Sequence, residues 1–308
     1  MEETGIGLWG VPLAILGGAI RVSTPFLFVS LGECITEKSG RINLGLEGTL
    51  VFGAMVAYAV AYETSSAWAG VLAAAAAGVC LGALHGWICR FPKVNDIAVG
   101  IALMLFGMGI AFFFGKPYIQ PVEPDLPAIP LGAWFDIPQV RAALNVNVLF
   151  LIGAALALFL WWAFRNTRTG LVIRTVGDSA DAARAMGHDV DAVRLWATAG
   201  GGALAGIGGA YLSLYYPGSW NEGISSGQGL MAVALVIFAR WNPLACFGAA
   251  LLFGGAGALG PALQSVGVTQ GYYLFYAAPY VLTLAIMIAT SSPTRSLAGA
   301  PGELSITK

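Results

Sequence analysis

Two polar side chains that could contact a solute, Asn43 and Glu47, stand in a glycine-rich run that opens a long apolar segment. The run extends from Ser39 to Gly48, and its glycines favour irregular backbone over a continuous helix. Within a membrane, such backbone is tolerated only where it is buried in protein or faces a water-filled path. We therefore expect Asn43 and Glu47 to line a translocation path. The alternative is a capped helix start in which Glu47 forms a salt bridge with Arg41.

A second polar cluster, Pro92 to Asp96, precedes another apolar segment. Asn95 and Asp96 could line the same path, or they could cap the helix that follows. Together with the first cluster they are also the membrane-depth polar groups that an ion-coupled secondary transporter would need. A third cluster, Pro217 to Glu222, combines a tryptophan with polar side chains. It could contact an external partner or the entering solute, or be a plain loop.

The chain carries no residue pattern that is typical of ATP binding or of catalysis. No segment follows the pattern Gly-x-x-x-x-Gly-Lys-Ser/Thr, the loop that cradles phosphates in ATPases. His85 and His188 are the only histidines, and no nucleophile stands near a base in a convergent catalytic set. The sequence therefore predicts a protein that is not an enzyme and holds no cofactor or metal. The net charge of −1 argues against a nucleic-acid partner.

Composition determines which elements must position these clusters. Hydrophobic residues make up 57% of the 308 positions and charged residues only 10%, so an ordinary polar surface cannot form. The apolar stretches are continuous and long enough for spanning helices of about 20 residues. Glycine and alanine between Ala199 and Ala210 would let helices approach closely. We predict an all-α polytopic membrane protein with a single domain over residues 1–308.

Breaks in hydropathy give nine candidate segments, and we place the total between eight and ten. Arg21 within the first segment could divide it into two pieces, and the seventh segment is short and flanked by Gly227, Gly229 and Pro243, as in a broken helix. The segments are Val11–Gly32, Leu44–Tyr62, Ala67–Cys89, Ile97–Gly115, Val146–Phe164, Leu195–Tyr216, Leu230–Ala239, Leu244–Gly260 and Tyr272–Thr290.

The orientation follows from the lysines and arginines, which favour cytoplasmic loops. Placing the loop 165–194 inside puts twelve of the fifteen basic residues on that side, with the N-terminus outside. The loop 116–145 then lies outside; its six prolines and three carboxylates indicate either an extended linker or a docking surface. The carboxylates that we expect to contact an external partner are Glu123, Asp125, Asp136 and Glu222.

The inner loop contains a run that predicts one short capped helix of about eight residues. Asp178 would cap its start, Asp181 and Arg184 suit the two ends of its dipole, and Gly187 would end it in a left-handed conformation. A helix this short is marginal in water, so we expect it to pack on its own bundle or in a groove of a partner. A solvated helix without a partner is the alternative.

Three stretches make the chain resemble the permeases of a bacterial ABC importer family that serves ribose-type sugars, branched-chain amino acids and nucleosides. The first matches best the nucleoside branch, which transports guanosine and other purine nucleosides. Relatives more often carry a proline at the position of Ala180, so the rigid helix start is missing here. The stretches are Glu37-Lys38-Ser39-Gly40-Arg41-Ile42-Asn43-Leu44-Gly45-Leu46-Glu47-Gly48, Arg174 to Gly187, and Phe238-Ala239-Arg240-Trp241-Asn242-Pro243-Leu244.

The resemblance implies a vitamin B12-importer-like (type II) permease fold in the bacterial cytoplasmic (inner) membrane. Its implied partners are a second permease, paralogous or identical, an extracytoplasmic solute-binding protein, and ATPase subunits that bind ATP and magnesium. The inner-loop helix becomes the coupling helix that seats in the ATPase. A nucleoside is the expected solute, with riboflavin or a simple sugar as alternatives. The residues implied in coupling are Asp178, Ser179, Asp181, Ala182, Arg184, Met186 and Gly187.

Overall fold

The computed structural model describes residues 10–119, 125–134, 141, 144–265, 275, 277–290 and 299–305. Helices dominate these ranges, with a short 3₁₀ turn after α4 and one two-stranded hairpin between α4 and α5. In chain order the elements are α1 (Gly10–Lys38), α2 (Leu46–Thr64), α3 (Ala67–Ile88), α4 (Asp96–Gly115), a 3₁₀ turn (Lys116–Tyr118), β1 (Ala128–Pro130), β2 (Asn145–Asn147), α5 (Val148–Asn166), α6 (Arg168–Asp178), α7 (Ala180–Ala185), α8 (Val190–Leu214), α9 (Gln228–Phe238), α10 (Pro243–Ser265), α11 (Ala278–Thr290) and α12 (Gly302–Ser305).

Five of the described helices are long and apolar enough to cross a membrane: α1, α3, α4, α5 and α10. The helices α2 and α8 do not meet both criteria, although their 19 and 25 residues extend about 28 and 37 Å. The predicted all-α multi-pass membrane fold is confirmed. The total of eight to ten spans and the type II arrangement stay predictions.

The first helix differs from its predicted form. α1 is continuous from Gly10 to Lys38, with Pro25 inside it, and it does not divide at Arg21. It also runs past the predicted end at Gly32. The added turns carry Glu33 and Glu37, which hydropathy places outside a membrane but which are buried here against protein, at 0% and 2% exposure. Hydropathy placed the end of this helix too early because a hydropathy profile contains no information on the protein contacts that bury Glu33 and Glu37.

The helix α8 lies at the centre of the bundle and packs on α1, α2 and α3. Close approach depends on paired glycines, as its small residues predict. A Cβ on Gly78 of α3 would lie 2.1 Å from the carbonyl oxygen of Gly202, and a Cβ on Gly202 would lie 2.2 Å from that of Gly78. No side chain fits either position, so the two backbones touch directly.

Two features interrupt the helical bundle. The helix α9 has only 11 residues, about 16 Å, which confirms the predicted broken helix. It ends where Arg240 and Trp241 take left-handed φ values of +50° and +54°. In the predicted outer loop, β1 and β2 pair antiparallel with Ala128 opposite Asn147. Part of this loop is therefore a folded hairpin.

Candidate functional site

Glu47 lies in the first turn of α2, is 4% exposed, and holds the start of α9. Its carboxylate accepts hydrogen bonds from the backbone N–H groups of Gly227 (3.1 Å), Gly229 (2.6 Å) and Leu230 (3.3 Å), and from the Ser225 hydroxyl (2.6 Å). The first amides of a helix have no partner within it, and a carboxylate suits the positive end of its dipole. Glu47 thus caps α9 from a neighbouring helix.

Asn43 organises the turn between α1 and α2. Its backbone N–H donates to Glu33 Oε1 at 2.7 Å, and its side-chain oxygen accepts from the N–H of Gly45 at 2.9 Å. The side chain of Asn43 is buried. The irregular backbone predicted for this run is present between residues 39 and 45. The backbone amides of Asn43 and Gly45 within it form hydrogen bonds with protein groups.

The salt bridge between Arg41 and Glu47, offered as the alternative for the first cluster, does not form. Arg41 Nη1 instead donates to Asp96 Oδ1 at 2.6 Å, which ties the α1–α2 turn to the start of α4. Asn95 Oδ1 accepts from the N–H groups of Ile97 (2.9 Å) and Ala98 (3.0 Å). The capping interpretation of this second cluster is therefore confirmed.

A cavity of about 410 Å³ opens beside the start of α9. It meets the third sequence cluster at Pro217 and Asn221, but none of Asn43, Glu47, Asn95 and Asp96 lines it. The lining residues are Val22, Pro25, Phe26, Leu212, Tyr216, Pro217, Asn221, Gly223, Ile224, Ser226, Gln228, Met231, Phe253, Gly257, Pro261, Pro279 and Tyr280.

The cavity lies in the half of the bundle that the charge distribution places outside. Val22 is about 24 Å along α1 from Lys38, which lies at the end that the charge distribution places inside. Phe253 and Pro261 lie about 15 and 27 Å from Pro243, the start of α10, which the same charge distribution places inside. The first turn of α9 forms part of the wall, and Glu47, which does not line the cavity, bonds to the amides of that turn.

The predicted inner loop contains two helices, α6 and α7, where one short helix was predicted. Asp178 ends α6, and Ser179 rather than Asp178 caps the six-residue α7, its hydroxyl oxygen accepting from the N–H of Ala182 at 3.3 Å. The prediction of Asp178 as the cap is therefore wrong, since α6 extends through it. Gly187 does take a left-handed φ of +84°, and Arg184 pairs with Asp181 at 3.0 Å.

The two faces of α7 differ. Ala180 and Ala183 are buried in a small cluster with Val176 and Val190, so α7 packs on its own bundle. The opposite face remains exposed and contains most of the residues predicted to couple. Those exposed residues are Asp181, Ala182, Arg184, Met186 and Gly187.

The short helix α12 fastens α7 to the bundle. Glu303 accepts hydrogen bonds from the N–H of Ala180 at 2.9 Å and from Arg194 Nη2 at 3.0 Å. Arg194 Nε also donates to the carbonyl oxygen of Ser39 at 3.1 Å. The inner loop, the C-terminal region and the α1–α2 turn therefore meet at one place, on the side that the lysines and arginines mark as inner.

The outer docking candidates are only partly described. Asp125 and Glu222 are exposed, whereas Glu123 and Asp136 lie outside the described residues. Sequence reasoning missed Trp134, which follows β1 and is 91% exposed. Its position in a proline-rich outer loop was the available signal.

The sequence did not predict the contacts of two further buried residues, Glu37 and Cys34. Glu37 accepts a hydrogen bond from the indole N–H of Trp241, and Cys34 Sγ donates to the carbonyl oxygen of Trp241 at 3.3 Å. Glu33 and Glu37 are spaced by four residues, so they share one face of α1. That spacing could have indicated a helix that continues beyond Gly32.

Comparison with known proteins identifies the family. The model of the family described as the permease component of branched-chain amino acid transport systems matches residues 15–291. A provisionally named glucose ABC transporter permease protein of Haloferax volcanii is 34% identical over 245 residues, which is 78% of this chain and 74% of that protein. The guanosine ABC transporter permease protein of Bacillus subtilis is 27% identical over 289 residues, 88% and 89% of the two chains.

A third relative is also similar over most of its length. The nucleoside ABC transporter permease protein of Lactococcus lactis is 27% identical over 290 residues, 89% of this chain and 90% of that protein. These similarities, which cover most of each chain, agree with the helical membrane bundle described above. The family match covers far more than half of the chain, so the chain belongs to the permease component family of branched-chain amino acid transport systems and is the membrane-spanning permease subunit of an ABC importer.

Proposed function

We propose that this permease passes a nucleoside across the bacterial cytoplasmic membrane. The observation that carries the proposal is the outer cavity of about 410 Å³, which falls in the range of about 300–1,000 Å³ typical of small-molecule sites. Similarity to the guanosine and nucleoside permeases over nearly the whole chain supports a nucleoside among the solutes of that size.

A sugar is the second candidate, favoured by the 34% identity to the glucose relative. Competition for uptake separates the two. Cells that express the complete transporter should take up labelled guanosine, and excess unlabelled nucleoside should suppress that uptake, while glucose and riboflavin should not. Suppression by glucose alone would overturn the nucleoside proposal.

We also propose that separate ATPase subunits drive the transport and hold the ATP and magnesium, because this chain lacks a phosphate-binding loop. The exposed face of α7 would contact them, while its other face packs on α6 and α8. Scrambling residues 178–186 should abolish ATP-dependent uptake and leave the permease in the membrane. Full uptake by the scrambled variant would remove α7 from the coupling role.

The remaining partners are proposed from the same family. A second permease would complete the path, and an extracytoplasmic binding protein would dock on the outer side, where Asp125, Glu222 and Trp134 are exposed. Thermal stabilisation of that binding protein by a panel of nucleosides, sugars and flavins tests the solute independently, because a ligand stabilises the state that it binds. Uptake by this permease alone under an ion gradient would favour the secondary-transporter alternative instead.

A further inference from the structure

Four aromatic side chains line the outer cavity. Phe26 of α1 and Phe253 of α10 make an edge-to-face pair, with ring centroids 6.4 Å apart and planes inclined by 61°. Tyr216 and Tyr280 also line the cavity. Packed rings of this kind offer flat apolar surfaces of defined orientation, which suit a planar ring system.

The cavity carries no formal charge on its described lining. None of its lining residues is Asp, Glu, Lys, Arg or His. A charged group in such a site would lose its hydration without gaining an ionic partner, which is costly. The cavity therefore favours a neutral solute over an amino acid zwitterion or a nucleotide, even though the family takes its description from amino acid transport.

Gln228 is a polar side chain in this wall whose amide oxygen has no hydrogen-bond donor. The Oε1 atom of Gln228 is buried and accepts no hydrogen bond within the described structure. Besides the two tyrosine hydroxyls, the wall has two further polar side chains, and both bond within their own turn. Asn221 Oδ1 accepts from the N–H of Gly223 at 3.1 Å, and Ser226 Oγ donates to the carbonyl oxygen of Gly223 at 3.1 Å.

The backbone around Gln228 is held in place. Its own N–H donates to the carbonyl oxygen of Ser225 at 2.9 Å, and Glu47 binds the N–H groups of Gly227 and Gly229 on either side. A recognition group must be fixed by its surroundings to discriminate between ligands. These contacts fix the backbone from which the Gln228 side chain extends, and they leave its amide oxygen without a partner.

We infer that the outer cavity is a solute-binding site for a neutral nucleobase-bearing solute, in which the Gln228 amide pairs with the hydrogen-bonding edge of the base. An amide carries an acceptor and a donor side by side, and glutamine forms two hydrogen bonds with a base edge that presents the complementary pair. The aromatic wall contacts the faces of the ring. This inference rests on the proposed function, since it takes the solute to be a nucleoside.

The test compares adenosine with purine riboside, whose base has the same ring system but no N–H donor. Wild-type transporter should take up adenosine at least about tenfold better at low concentration, and Gln228→Leu should remove that preference. Gln264→Leu is the matched control, because Gln264 is exposed near the outer end of α10 and does not line the cavity. It should keep the wild-type preference.

If the transporter with Gln228→Leu fails to assemble, a second variant tests the same contact. Gln228→Glu keeps the shape but presents only acceptors, so it should shift preference toward guanosine, whose base offers two adjacent N–H donors. If wild type imports nucleosides but both variants keep its preferences, the cavity assignment is overturned and the proposed function stands. If wild type imports none, the proposed function itself fails.

Discussion

Replacing Glu47 with glutamine should detach α9 from α2. The carboxylate accepts four hydrogen bonds, two at each oxygen. Glutamine can accept with one oxygen only, and its NH₂ group would face two donors. A hydrogen bond to a charged group contributes about 1.5–3 kcal/mol, so the loss of two predicts a destabilisation of about 3–6 kcal/mol.

This loss is large enough to measure by thermal unfolding of the detergent-purified transporter. At about 2 °C per kcal/mol for a chain of this size, Glu47→Gln should lower Tm by about 6–12 °C. Gly229→Ala tests the same contact from the other side, because its Cβ would lie 2.6 Å from both Cα and Oε2 of Glu47. It should lower Tm in the same direction.

The matched control is Glu63→Gln, the same substitution at the other end of α2. Glu63 is exposed and accepts one long hydrogen bond, 3.4 Å from the Tyr118 hydroxyl. Exposed substitutions usually change stability by no more than about 0.5 kcal/mol, so its Tm should stay close to wild type. Equal Tm values for Glu47→Gln and Glu63→Gln would refute the capping role of Glu47.

Three further predictions concern other contacts. Ser179→Ala removes the α7 cap, worth about 1 kcal/mol, and should reduce solute-stimulated ATPase activity about fivefold, whereas Asp178→Ala should stay within about twofold of wild type. Glu303→Ala removes both bonds that fasten α7, so limited proteolysis should cut the chain near residues 179–190 faster than in wild type; an unchanged rate would contradict the fastening. Gly78→Ala should lower Tm by several degrees through its clash with α8, while Gly109→Ala, which meets nothing within 4 Å, should not.

Hydropathy and charge predicted much of the fold because the apolar composition of each spanning segment indicates that it lies in lipid. The segments Ala67–Cys89 and Ile97–Gly115 correspond to α3 (Ala67–Ile88) and α4 (Asp96–Gly115) within a residue. The approach failed at the end of α1, where burial against protein replaces burial in lipid. Glu33 and Glu37 look like an end of the span unless their partners, such as Trp241, are known.

The chemistry was harder to predict than the helices. The sequence indicated Glu47 as a polar group at membrane depth but not its partners, which lie about 180 positions along the chain, where no local pattern connects them. The cap of α7 was misassigned for a different reason. Asp178 and Ser179 are both good caps, and only the extension of α6 through Asp178 decides between them.

A helix that ends inside a bundle needs polar partners at both ends, since lipid supplies none. For α9, Glu47 binds the first amides, and Glu37 together with Cys34 binds Trp241 just beyond the last turn. Glu47, which the sequence offered as a transport group, thus bonds to the first amides of a half-helix. Contacts with the solute must then come from uncommitted groups, and in the described wall of the outer cavity Gln228 is such a group.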